Sequence, residues 1–186
     1  MCIRDRLVAD VLTANGIKVL LFKDHRPTPE LSFTVRDKKC NGGIVLTASH
    51  NPPEYNGYKV YWNDGAQIVP PNDEAIIKEV YSVKFDEIKF DGNDELIEWI
   101  GEEQDEVYID ACIENSTYQN VGKENLNIVF TSIHGTTYTT IPKALEKAGF
   151  KKIDLVKEQM IPSGNFPTVD SPNPEDCLLY TSDAAD

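Results

Sequence analysis

The stretch "IKVLLF", from Ile17 to Phe22, places the strongest limit on the fold, because five of its six residues are apolar. A strand that is apolar at nearly every position is buried on both faces, the habit of parallel sheets covered by helices on each side. The flanks agree. Leu7, Val8, Val11 and Leu12 recur at helical spacing and Asn15-Gly16 supplies a stop, which predicts a helix before the strand. After it, "RPTPELSFTVRDKKCNGG" offers Pro27 and Pro29 to start a second helix, with Leu31 and Val35 one turn apart on its face. Its Gly-Gly exit leads into a strand over Ile44 to Thr47. Helix, strand, helix, strand implies an α/β layer.

Beyond Thr47 the pattern changes. Asn56-Gly57 marks a turn, and "YKVYW" alternates, with Tyr58, Val60 and Trp62 on one face and Lys59 and Tyr61 on the other. Asn63-Asp64-Gly65 predicts a type I′ turn closing a hairpin onto "AQIV". A helix capped by Asn72 follows, with Ile76, Ile77, Val80 and Tyr81 as its buried stripe. "DELIEWIGEEQDEVYIDACIEN" reads as helical segments interrupted near Gly101, where a domain boundary is expected. The strand "LNIVFT" (Leu126 to Thr131), the helix Pro142 to Ala148, a stop at Gly149 and the strand "KIDLV" then make a βαβ unit. No internal repeat is visible.

Charge and composition exclude several classes of function. The formal net charge of -13 over 186 residues leaves no clustered Lys and Arg for a nucleic-acid backbone, though a few local cations or amides suffice for one small phosphate. A hydrophobic fraction of 40% and a charged fraction of 26% are ordinary for folded soluble proteins. No apolar run is long enough to span a membrane. Cys2, Cys40, Cys112 and Cys177 show neither metal-ligand nor disulfide-framework spacing, which fits a reducing cytoplasm.

"TASHNP" places Ser49 where a buried strand ends, the edge at which open α/β sheets bind ligands. Two readings compete: ordinary turn formers bonded to local backbone, or a serine that carries chemistry. A hydrolase triad is a poor fit, since no G-x-S-x-G elbow is present and Pro52 and Pro53 block helix entry. A serine in this position could instead carry a phosphoryl group.

The whole stretch "TASHNPPEYNGYKVYWNDGAQI" resembles the phosphoserine loop of the α-D-phosphohexomutases, the superfamily of phosphoglucomutase and phosphomannomutase. "RPTPELSF" upstream, and "FTSIHGT" and "GNFPTVDSPNPE" downstream, resemble the same family in the same order, from about Leu7 to Asp176. The wording lies nearest the phosphoglucomutase branch that also holds phosphopentomutases. The resemblance implies three-layer αβα domains with mixed sheets, of which this chain would hold most of domain I, residues 7–102, and the first half of domain II, residues 103–176. Residues 1–6 and 177–186 are expected to be non-native tails on a truncated frame.

By the same resemblance, Ser49 is phosphorylated in the resting enzyme and its phosphate ligates Mg²⁺, the implied cofactor. Sugar phosphates and sugar bisphosphates are the implied partners, with glucose, pentose and mannose phosphates all open; no nucleic acid or membrane is implied, and the oligomeric state is left open. Lys59 matches a family lysine proposed to exchange the sugar hydroxyl's proton, the plain alternative being a solvated lysine on the outer hairpin face. His50 either orients the loop, bonds the phosphate, assists proton transfer or makes a structural hydrogen bond. His134 to Thr137 read His-Gly-Thr-Thr where the family typically has His-Gly-x-Gly, and a structural role is expected for His134. His25 is expected on an exposed loop, and the acidic run Gly101 to Glu106 on a solvated helix surface. The family's metal loop, sugar loop and phosphate loop do not occur among the 186 residues, so the chain alone is expected to be inactive. A noncatalytic sugar-phosphate binding module is the rival from another class.

Overall fold

The structure, a computed structural model, describes residues 3–49, 51, 54–117 and 122–173. The chain divides into two compact units, one of residues 1–46 and 58–104 and the other of residues 47–57 and 105–186.

The first unit opens with α1 (Ile3–Ala14) and β1 (Val19–Phe22). The helix begins four residues before the expected periodicity, inside the stretch read as a tail. Arg6 extends it by pairing with Asp10 one turn on, at 2.8 Å, and with Asp94. Ala9 and Thr13 are its buried residues. The Thr13 hydroxyl donates to the Ala9 carbonyl and accepts the amide of Asn93, which ties α1 to the segment before β4 (Ile97–Ile100). β4 pairs in parallel with β1, Val19 opposite Ile97 through Phe22 opposite Ile100. A helix was expected over Ile97 to Ile100. The correction has a tertiary cause, since pairing along "VLLF" satisfies a backbone that "LIEWI" periodicity alone would have coiled.

α2 (Thr28–Asp37) starts where the prolines predict, with Pro27 as its N-cap and a proline in its first turn. Its face of Leu31 and Val35 lies on Gly43 of β2 (Gly42–Thr47): a Cβ at Gly43 would stand 2.6 Å from Val35 Cγ2 and 2.9 Å from Leu31 Cδ2. β2 pairs with β3 (Gly57–Trp62). Gly42 approaches the Tyr61 carbonyl and Gly57 the Thr47 carbonyl, start against end, the antiparallel order. Among the described residues the strands pair as separate two-stranded sheets, parallel for β1 with β4 and antiparallel for β2 with β3.

The hairpin after β3 forms, with Tyr61 opposite Gln67 and the Trp62 amide donating to the Ala66 carbonyl at 2.8 Å. Its turn is not type I′. Of Asn63, Asp64 and Gly65 only Gly65 has positive φ, +78°, which marks a three-residue loop ending in a bulge. Asp64 Oδ1 accepts the Ala66 amide and stabilises it. α3 (Asn72–Ser82) is present, but its N-cap is Pro71, and none of its residues is buried. Ile77, Val80 and Tyr81 are 52%, 57% and 85% exposed and Ile76 is half-buried, so the expected buried stripe is largely exposed. Short 3₁₀ turns at Phe85–Glu87 and Asp94–Leu96 complete the unit.

In the second unit, α4 (Glu102–Glu114), whose first turn is assigned to the first unit, supplies the buried Asp105 and Ile109. β5 (Asn127–Phe130), α5 (Ile141–Lys147) and β6 (Lys152–Leu155) form the expected βαβ unit, with β5 and β6 parallel and Asn127 opposite Lys152. Gly149, at φ +96°, ends α5 as its position predicts. Lys147 joins α5 to α4 by bonding Asp110 at 2.5 Å and Glu106 at 3.1 Å. The acidic run is therefore not wholly solvated, because Gln104 and Asp105 are 3% and 1% exposed.

Candidate functional site

The β2 run delivers Thr47 to the end of the strand, and the backbone then turns sharply. Ser49 is exposed and holds φ +56°, a left-handed conformation that residues with a side chain seldom adopt. Its amide donates to the Thr47 hydroxyl at 2.9 Å, and the Asn51 amide donates to the Ala48 carbonyl at 3.0 Å. The serine therefore stands on a hydrogen-bonded turn at the carboxyl end of a strand. His50 lies outside the described residues.

Lys59 is the third residue of β3. It is half-buried and shares a face with Tyr61, 8% exposed, whereas Tyr58 and Trp62 on the opposite face are 57% and 43% exposed.

A second turn of the same kind follows β5. Ile133 and His134 have φ +45° and +58°, and the Ile133 amide donates to the Thr131 hydroxyl at 2.9 Å. His134 is 4% exposed and fully engaged. Its Nδ1 donates to the Ile161 carbonyl at 2.8 Å, since a carbonyl only accepts, which leaves Nε2 to accept from the Thr168 hydroxyl at 2.8 Å in the uncharged ring. The His134 amide donates to the Gln159 carbonyl at 2.8 Å and the Gly135 amide to the Ser132 carbonyl at 2.8 Å. Gln159 completes the network, its side chain accepting from the Thr131 hydroxyl and donating to Thr168. The amides of Ile133, His134 and Gly135 are thus spent inside the protein, and the expected structural role of His134 holds. His25 is exposed beside Asp24, as expected, with Nδ1 3.0 Å from Asp24 Oδ1.

"RPTPE" proves more than a helix start. Arg26 and Glu30 are an i,i+4 pair with side chains 8% and 0% exposed and Nε 3.9 Å from Oε1. Sequence reading missed this pair, along with Thr47, Gln159 and Thr168. A signal for Thr47 did exist: "TASH" and "TSIH" put Thr and His three apart at both strand exits. Four residues are too few to register as a repeat. Among the described residues no group of three or more His, Cys, Asp and Glu side chains is placed to hold a metal ion. No described helix is long and apolar enough to cross a membrane.

Two family models match the sequence, both described as phosphoglucomutase/phosphomannomutase alpha/beta/alpha domains: domain I over residues 5–87 and domain II over residues 106–186. A phosphoglucomutase of Staphylococcus haemolyticus is 37% identical over 173 residues, 91% of this chain and 32% of that protein. One of Staphylococcus aureus strain USA300 is 36% identical over 181 residues, 92% of this chain and 31% of that protein. A solved structure from Thermus thermophilus, described as a putative phosphomannomutase, aligns with a TM-score of 0.72 at 26% identity, covering 95% of this chain and 38% of the other. The chain therefore spans about a third of the length of these relatives.

Proposed function

The chain belongs to the phosphoglucomutase/phosphomannomutase family, and on that premise we propose that it carries the phosphoryl-bearing serine of a sugar-phosphate mutase. The observation that supports this reading best is Ser49, exposed on a left-handed turn at the carboxyl end of β2, inside the domain I match. In the proposed reaction the Ser49 Oγ–P bond breaks as a bond forms from phosphorus to a free hydroxyl of a sugar monophosphate. The hydroxyl's proton leaves to a base. The resulting bisphosphate turns in the site, and its other phosphoryl group returns to Ser49, so no phosphate is consumed. Such a transfer passes through a loose transition state, and catalysis consists largely of positioning and of neutralising the equatorial oxygens.

Lys59 is proposed as the group that exchanges the hydroxyl proton, and its place on the covered face of β3 supports that role over a solvated one. His50 is proposed to act on the same turn. Mg²⁺ would supply charge neutralisation when bound, but the described residues offer it no protein ligand set beyond a phosphate on Ser49. The substrates are proposed to be glucose 1-phosphate and glucose 6-phosphate, following the relatives named phosphoglucomutase, and the location the cytoplasm. Domain I is proposed to end at residue 102 and domain II to begin at 103. Because the chain covers about a third of its relatives, the activity is proposed for the full-length enzyme and these 186 residues alone are expected to be inactive.

The test is Ser49→Ala in the full-length enzyme, assayed with a bisphosphorylated sugar present. Loss of a transferring nucleophile should lower kcat by about 10³-fold or more. Turnover near the wild-type rate would remove Ser49 from the mechanism and leave a binding role as the alternative.

A further inference from the structure

Ser49 holds a backbone conformation that its side chain disfavours, so something must hold it there. The described geometry offers one local means. Thr47 ends β2 half-buried, and its hydroxyl receives the Ser49 amide at 2.9 Å. The same device recurs after β5, where the Thr131 hydroxyl receives the Ile133 amide at the same 2.9 Å and Ile133 is also left-handed. Two strand exits of unrelated sequence after the threonine, Ala-Ser and Ser-Ile, thus share one bond and one backbone sign. Both sequences also place a histidine three residues on, and among the described residues the shared bond is the one to the threonine hydroxyl.

We infer that Thr47 is a positioning residue for Ser49: its hydroxyl accepts the Ser49 amide, keeps the turn left-handed and so presents the serine side chain beyond the sheet edge. The inference rests on the phosphoryl-carrier reading only for the use made of the serine side chain; the backbone part stands without it. Gly57 supports the same corner. A Cβ there would come within 2.7 Å of the Thr47 carbonyl, so β3 closes directly onto the residue that holds the turn.

The test compares Thr47→Val, which keeps the shape and removes the acceptor, with Thr47→Ser, which restores it. In the ¹⁵N-labelled 186-residue chain, the Ser49 amide and its φ-sensitive coupling are read by NMR. Thr47→Val should speed exchange of the Ser49 amide by up to about tenfold, the usual worth of one net hydrogen bond, and move φ to negative values. Thr47→Ser should match the wild type, and Thr131→Val should alter Ile133 while leaving Ser49 unchanged. A Thr47→Val chain with wild-type exchange and coupling at Ser49 overturns the inference. If that variant does not fold, the wild type decides, because a Ser49 amide that exchanges as fast as an unbonded one overturns it equally.

A second arm uses the full-length enzyme, with transfer from glucose 1,6-bisphosphate to Ser49 followed by peptide mass spectrometry. Slower phosphorylation in Thr47→Val, recovered in Thr47→Ser at equal melting temperature, supports positioning; equal rates in all three contradict it while leaving the carrier reading intact. Absence of phosphate on Ser49 in every version defeats the carrier reading instead, and the NMR result then stands on the backbone alone.

Discussion

At the scale of single residues, the turns of this protein are decided by where the backbone goes left-handed. Gly65 takes φ +78°, and a Cβ there would stand 2.6 Å from the Ser32 carbonyl and 2.9 Å from Arg36 Nε. The Ser32 hydroxyl also donates to the Gly65 carbonyl at 2.5 Å, so the hairpin tip is fastened to α2. Gly65→Ala should therefore cost about 1 to 3 kcal/mol, from the conformation together with the close approach. Thermal or denaturant unfolding of the variant checks this, and unchanged stability would contradict it. "NDG" announced the turn without revealing which residue would be left-handed, because a two-residue I′ turn and a three-residue bulged turn share that composition. Ser49 was legible as a candidate from its neighbours. Its φ of +56° and its bond to Thr47 were not, since nothing in "TAS" compels a non-glycine residue to go left-handed.

At the scale of elements, legibility followed sequence pattern rather than burial. β1, β2, α2 and the βαβ unit were visible from apolar runs and turn residues, and Leu31 and Val35 do lie against Gly43, yet Val129 of β5 is 73% exposed while Ile100 of the missed β4 is 7% exposed. β4 was hidden, since four residues of "IEWI" fit either period and only the ladder with β1 decides between them. α3 was misjudged differently: its period is helical, but no described residue covers Val80 or Tyr81. The β1 and β4 pair also carries a testable charge. Lys18 Nζ stands 2.6 Å from Glu98 Oε2, and its hydrogen bond and charge hold the Glu98 carboxyl below the ordinary value of 4.5. A carboxylate with a lowered folded pKa stabilises above its unfolded pKa and loses that contribution as the pH falls through the folded value. Glu98→Gln should thus lower Tm slightly at neutral pH and low salt, the deficit shrinking as the pH falls through the lowered folded pKa. A deficit independent of pH would show that the carboxylate charge is not what acts there.

At the scale of the whole molecule, the chain matches two successive domains of one enzyme family across about a third of its members' length, and residues 47–57, which carry Ser49, lie within the domain I match while grouping with the second compact unit. Composition pointed away from nucleic acid, and the loop sequence pointed toward phosphoryl transfer. What the chain does with Ser49 is the claim on which the rest depends. The most direct measurement is to incubate the full-length enzyme with glucose 1,6-bisphosphate and locate phosphate by peptide mass spectrometry. One phosphoryl group is expected on the peptide that contains Ser49, absent from Ser49→Ala. An enzyme that turns over while Ser49 stays unmodified, or phosphate placed on another residue, would contradict that claim.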